Sequence, residues 1–153
     1  MSTEPLVHSA VLLDANVLIW AHHRRFRQHE HARQWLASTL TATPVVGIPW
    51  PSVLAFLRIS THPRALERPL ELPAAWGVVD GWLGRPNVRT PAPTDAHAGL
   101  LAEMLTAGRA TANHTSDAHL AALAVEWGLV LVSADRDFAR YPGLRWYDPS
   151  GDW

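Results

Sequence analysis

The chain has 153 residues, 48% of them hydrophobic, with 13 basic against 14 acidic side chains and no cysteine. That length and apolar fraction suffice for one ordinary domain over residues 1–153 with a core that needs no disulfide or thiolate metal site, and the near-zero charge argues against a generic basic coat for nucleic acid. All 13 positive charges are arginine, which removes chemistry built on a P-loop, Schiff-base or phospho-aspartyl lysine.

The N-terminal stretch lacks the basic segment of a secretory leader, and no run approaches the ~20 apolar residues of a membrane span, so a cytoplasmic location without membrane contact is expected. Val11-Leu12-Leu13 predicts a buried strand that stops at Asp14-Ala15-Asn16, after which Val17, Leu18, Trp20 and Ala21 return with helical spacing. A polar connection follows, then a helix near Glu30 to Thr39 with Ala32, Trp35 and Leu36 on one face, and a brief strand at Val45 to Ile48. Pro49 and Pro51 suit a helix's first turn and predict a third helix over Ser52 to Ser60. Trp76, Val79 and Leu83 recur at i, i+3 and i+7, which makes Ala74 to Leu83 a fourth helix. Val88 to Thr90 is a weak strand, and Thr94 or Asp95 caps a helix through Leu105. Ser116-Asp117 starts a sixth helix that Gly128 stops, Leu129 to Val132 is an apolar strand, and a last strand lies near Leu144 to Tyr147. Strands alternating with helices, two of them apolar on both faces, indicate an α/β domain with a mostly parallel sheet covered on both sides.

Three aspartates stand where such a fold gathers ligands. Asp14 and Asp135 each follow a strand and Asp117 opens a helix, and in an open parallel sheet the carboxyl ends of the strands line one crevice. Taken singly, each is an ordinary cap or turn residue. Held together they repel one another, and a hard divalent cation, Mg2+ or Mn2+, resolves the repulsion and can activate water toward a phosphodiester. Asn16 is then placed to orient a water or hold a carboxylate, Ser133 to support the acids by hydrogen bonding rather than to act as a nucleophile, and Asp137 is either a fourth acidic member or the cap of a turn.

The stretches Leu12 to Ile19, Ser116 to Ala124 and Leu131 to Phe138, with Phe56 to Arg64 and Phe138 to Trp146, resemble the PIN-domain ribonucleases, in particular the VapC-type toxins of bacterial toxin-antitoxin pairs. The resemblance runs over nearly the whole chain, in order and spacing. It implies a PIN-like three-layer α/β/α sandwich, a Mg2+-dependent endoribonuclease cutting tRNA or rRNA, a homodimer, and a VapB-like antitoxin lying across the active-site groove. It matches Asp14, Asp117 and Asp135 to three of the family's acidic positions, as catalytic residues and metal ligands. The family's remaining acid, a glutamate on the third helix, has no counterpart: Ser52, Val53 and Ala55 occupy the region, and no acid occurs between Glu30 and Glu67. One well-held metal is therefore expected, with any second site weak. Glu126 lies too far along its helix to substitute, ~13 Å from Asp117. Two rivals remain open: a weakened PIN module that only binds RNA or antitoxin, and a haloacid-dehalogenase-like phosphatase, which the absence of lysine disfavours.

Other features read more plainly. The cluster His22, His23, His29 and His31 is expected at the surface. Trp20, Trp35 and Trp127 are expected in the core, whereas Trp76 and Trp82 suit a partner surface. From Ala15 to Arg68 seven arginines face two glutamates, so Arg24, Arg25, Arg58 and Arg64 are expected to track RNA phosphates beside the acidic pocket.

Overall fold

The computed structural model describes residues 10–153; the N-terminal stretch read for a leader, and with it the start of the expected domain, lies outside them. The strands are β1 (Ala10–Leu13), β2 (Val45–Gly47), β3 (Val88–Arg89), β4 (Val130–Val132) and β5 (Trp146–Tyr147). The helices are α1 (Ala15–His22), α2 (His29–Ala42), α3 (Trp50–Ser60), α4 (Leu72–Leu83), α5 (His97–Ala107) and α6 (Thr115–Trp127). All four strand pairings are parallel, in the order β3-β2-β1-β4-β5.

Alternation along the strands divides the interior in two. Val11 and Leu13 of β1 and Val130 and Val132 of β4 enter one core with Val17, Leu18, Phe56 and Val79 from α1, α3 and α4. Leu12 and Leu131 point the other way, into a second core with Met104, Leu120, Leu123 and Phe138. Helices thus cover both faces of the sheet, the three-layer α/β/α arrangement expected. Gly47 is demanded by the sheet, because a Cβ there would stand 2.9 Å from Leu12 Cδ1 and 3.1 Å from the Val11 carbonyl.

Local chemistry sets the helix ends. Pro51 sits in the first turn of α3, and Gly128 stops α6 in the left-handed conformation, φ 66°. Two caps differ from expectation. The N-cap of α5 is Ala96 rather than Thr94 or Asp95, because the helix begins only at His97; the Thr94 hydroxyl accepts from the Ala96 N–H at 3.2 Å and donates to Glu126. Helix α6 begins at Thr115 behind His114, so Asp117 lies in its first turn with its carboxylate free of capping duty.

Several aromatic expectations are corrected. Trp127 is 49% exposed, because its indole N–H reaches out to the Ala92 carbonyl at 2.9 Å. Trp82 is half-buried and packs edge-on against buried Phe56, ring centroids 4.8 Å apart, at the margin of the core. Trp76 does stay exposed. His23 is buried, not superficial, since its Nε2 meets the buried Ser60 hydroxyl at 2.7 Å. Among the described residues no helix is long and apolar enough to cross a membrane.

Candidate active site

The strand order reverses at β1 and β4, which lie side by side while their connections leave in opposite directions. A crevice opens outside the carboxyl ends of strands at such a point. Asp14 follows β1 there, its backbone N–H continuing the ladder to the Val132 carbonyl at 3.0 Å, and Ser133 and Asp135 follow β4.

Ser133 is the hub. Fully buried, its hydroxyl donates to Asp14 Oδ2 at 2.7 Å and accepts from Asn16 Nδ2 and from the Asp135 N–H, each at 3.1 Å. The other Asp14 oxygen accepts from the Ala15 N–H at 2.7 Å, capping α1. Asp135 accepts from the Asp137 N–H at 2.9 Å. Asp137 turns away from the hub toward His114 Nε2, 3.3 Å, and Arg140, 3.8 Å. The cap of this turn is Asp135, and Asp137 lies in its first turn.

Electrostatics register the crowding. Burial, the largest influence, pushes the Asp14 carboxyl above its usual range; the donors Ser133 and Ala15 pull it back, and Asp135 raises it further. Asp117 is pushed up to about 6 by burial and then by the charges of Asp14 and Asp135, with His114 opposing and Asp137 adding. Asp14 and Asp117 line a cavity of about 560 Å³ with Ser52, Ala55, Arg58 and Ser116. Arg58 faces the same space, yet among the described residues no carboxylate comes within 4.0 Å of it. The pocket consequently has an acidic wall and a cationic one that do not neutralise each other.

The oxygen-only donor set, its excess negative charge and one orphan atom suit a hard divalent cation: Asn16 Oδ1 is buried without a hydrogen-bond partner. The side chains as they stand do not form a ready cage, for among the described residues no three His, Asp or Glu side chains surround one point. No acid fills the α3 wall. Ser52 is buried and donates to the Leu13 carbonyl at 2.7 Å, so only a lone pair remains toward the pocket. Glu126 is held elsewhere by the Thr94 N–H at 2.6 Å and by His97 at 2.8 Å, and Glu103 is exposed on α5.

The arginines separate. Arg58 lines the acid pocket, Arg24 and Arg25 line another cavity at the far end of α1, and Arg64 lines neither. His114 is the residue that sequence reasoning passed over. It stands one helical turn before Asp117, a spacing that places the two on one face, and Tyr141 donates to its carbonyl at 3.1 Å. Its i, i+3 spacing to Asp117 is the local signal that marks it.

An α/β/α sandwich with carboxylates at its switch point defines a class, and the profile of the PIN domain matches residues 11–144. The chain is 42% identical to Ribonuclease VapC37 of Mycobacterium tuberculosis over 138 residues, 90% of this chain and 96% of that one. Ribonuclease VapC33 of the same organism is 36% identical over 144 residues, 91% and 97% of the two chains. This chain belongs to the PIN-domain family, among the VapC ribonucleases. The same fold recurs in the DNA-bound VapBC of Salmonella typhimurium, with TM-score 0.64 at 23% identity over 93% of this chain and 99% of that one. It recurs also in VapBC2 of Rickettsia felis bound to a promoter fragment, with TM-score 0.59 at 16% identity over 90% and 96%.

Proposed function

We propose that this chain is a ribonuclease toxin whose activity depends on a divalent metal, Mg2+ or Mn2+, and which a VapB-like antitoxin neutralises. The observation that carries the reading is the bipolar pocket, in a chain whose relatives are ribonucleases: Asp14 and Asp117 on one wall, Arg58 on the other. Family membership leaves the phosphatase rival without support.

In this reading Asp14, Asp117 and Asp135 would hold the ion once their side chains turn toward a common point. When bound, it supplies a water of lowered pKa and offsets charge gathering on phosphorus. Ser133 fixes Asp14 and the Asp135 backbone in register, and Asn16 Oδ1 is free to accept a hydrogen bond from an attacking water. Arg58 holds the non-bridging phosphate oxygens from the opposite side, a role for which a planar guanidinium fork is suited. Arg64 contacts RNA beyond the cut. Trp50, Leu54, Leu72 and Trp76, exposed on α3 and α4, support protein contacts there, either the antitoxin or a second copy in a homodimer.

The test is cleavage of structured RNA with Mg2+ or Mn2+ and with EDTA, comparing the wild type with Asp14→Asn and Asp117→Asn. Metal-dependent cutting lost in both variants is expected. The uncaged carboxylates and the missing acid on α3 favour one second reading, a PIN module that binds RNA or antitoxin without cutting. Tight RNA binding with no cleavage under any metal would establish that instead.

A further inference from the structure

A second cavity, about 340 Å³, opens where α1 ends and the segment after α3 crosses it; His23, Arg24, Arg25, Leu66, Glu67 and Arg68 line it. Its charge is one-sided. Three guanidinium groups face one carboxylate, and among the described residues none of the three has an acid within 4.0 Å. His23 adds no charge, because burial pushes its imidazole down to about 4.

Both walls are anchored. His23 Nε2 and Ser60 Oγ meet at 2.7 Å in the interior, and the Leu70 N–H returns to the Ser60 carbonyl at 2.8 Å. Arg25 donates to the Ala65 carbonyl and lies over the Phe26 ring at 5.7 Å, tying the two segments across the cavity mouth. Buried Leu66 forms an apolar floor. Arg24 and Arg68 remain exposed and without a carboxylate, beside an already ordered third arginine.

The position of this cavity tells what it would hold. Helix α1 carries Asp14 at its start and leads to His23 at its end, ~13 Å along the axis. The bridge between the two cavities is α3, where Arg58 lines the acid pocket and Ser60, two residues on, supports His23. The ~13 Å between Asp14 and His23 along α1 is a span of only a few nucleotides. We propose that the cavity formed by Arg24, Arg25 and Arg68 is a second anion-binding site, which holds a backbone phosphate of the RNA strand flanking the cut. The proposal rests on the ribonuclease reading above.

The experiment uses the full chain, the double variant Arg24→Ala/Arg68→Ala and its conservative counterpart Arg24→Lys/Arg68→Lys. Binding of a single-stranded decanucleotide is measured by fluorescence anisotropy in EDTA over a range of salt. The expected result is about a tenfold loss of affinity in the alanine variant. The slope of log K against log salt should shrink by about 0.7 for each phosphate no longer held, with much of both restored by lysine. In cleavage, KM should rise on the decanucleotide with kcat unchanged, and kcat/KM on a trinucleotide too short to reach the cavity should not move. Equal losses on both lengths, or none on the decanucleotide while the wild type still cuts, would overturn the site and leave the nuclease reading standing. An effect confined to an acidic peptide would overturn it in favour of a protein partner. A wild type that neither binds the decanucleotide nor cuts structured RNA refutes the nuclease reading itself, and this site with it.

Discussion

Ser133 shows how much one small side chain can organise. Its hydroxyl satisfies Asp14, Asn16 and the Asp135 backbone at once, in a position closed to water. Ser133→Ala leaves those groups unpaired, at a cost of about 1–3 kcal/mol in denaturant unfolding. It should also weaken metal binding about 10- to 100-fold in a calorimetric titration, because the group that orients Asp14 is gone. Asp117 makes a second prediction. Its folded pKa, about 6, lies above the 3.8 of an ordinary aspartate, so between these values the native state holds more protons than the unfolded chain. The metal-free protein should therefore lose stability as pH rises from about 4 to 6 and then level off. Asp117→Asn should remove much of that slope and raise the metal-free melting temperature near pH 7 by about 2–4 °C, taking ~1 kcal/mol after solvent screening. Asp14, shifted the same way, contributes with the same sign.

Helices and strands bring these residues to one place by ordinary means. Asp14 stands between β1 and α1 and does two jobs, capping the helix and presenting its second oxygen to Ser133. Close passage of β2 beside β1 requires Gly47. Gly47→Ala drives a methyl into Leu12 and the Val11 carbonyl, and a loss of about 1–3 kcal/mol is expected in urea unfolding. Helices α5 and α6 are clasped by a polar chain, in which Glu126 takes the Thr94 N–H and one ring nitrogen of His97 while the other meets His119 at 2.9 Å. Glu126→Ala strands this buried chain, and the same measurement should show a comparable loss with the acid pocket intact.

At the scale of the whole molecule the net charge of −1 conceals a division: acids gather at the switch point, while seven of the 13 arginines fall between Ala15 and Arg68. With no carboxylate on the α3 wall, calorimetric titration with Mn2+ should find one tight site per chain, and saturating metal should raise the melting temperature by mass action. Two tight sites would contradict this. Much of the fold was legible in advance, because the continuous apolar runs of β1 and β4 and the 3.6-residue periods of α2 to α4 are local properties of the chain. The same holds for the helix start at Pro51 and the helix stop at Gly128, which act on their own backbone. What depends on residues meeting across long stretches of chain was not legible. Ser133 stood out in advance as a hydrogen-bonding neighbour of the acids, but its partners Asp14 and Asn16, the buried His23–Ser60 pair, the exposure of Trp127 and the division of the arginines between two cavities follow from packing that no local pattern names. Sequence by itself determined the elements, their order and the three acids at strand and helix ends. Tertiary structure alone decided which of their neighbours share a pocket, because a parallel sheet of order β3-β2-β1-β4-β5 sets β4 directly beside β1 and brings the ends of two distant segments together.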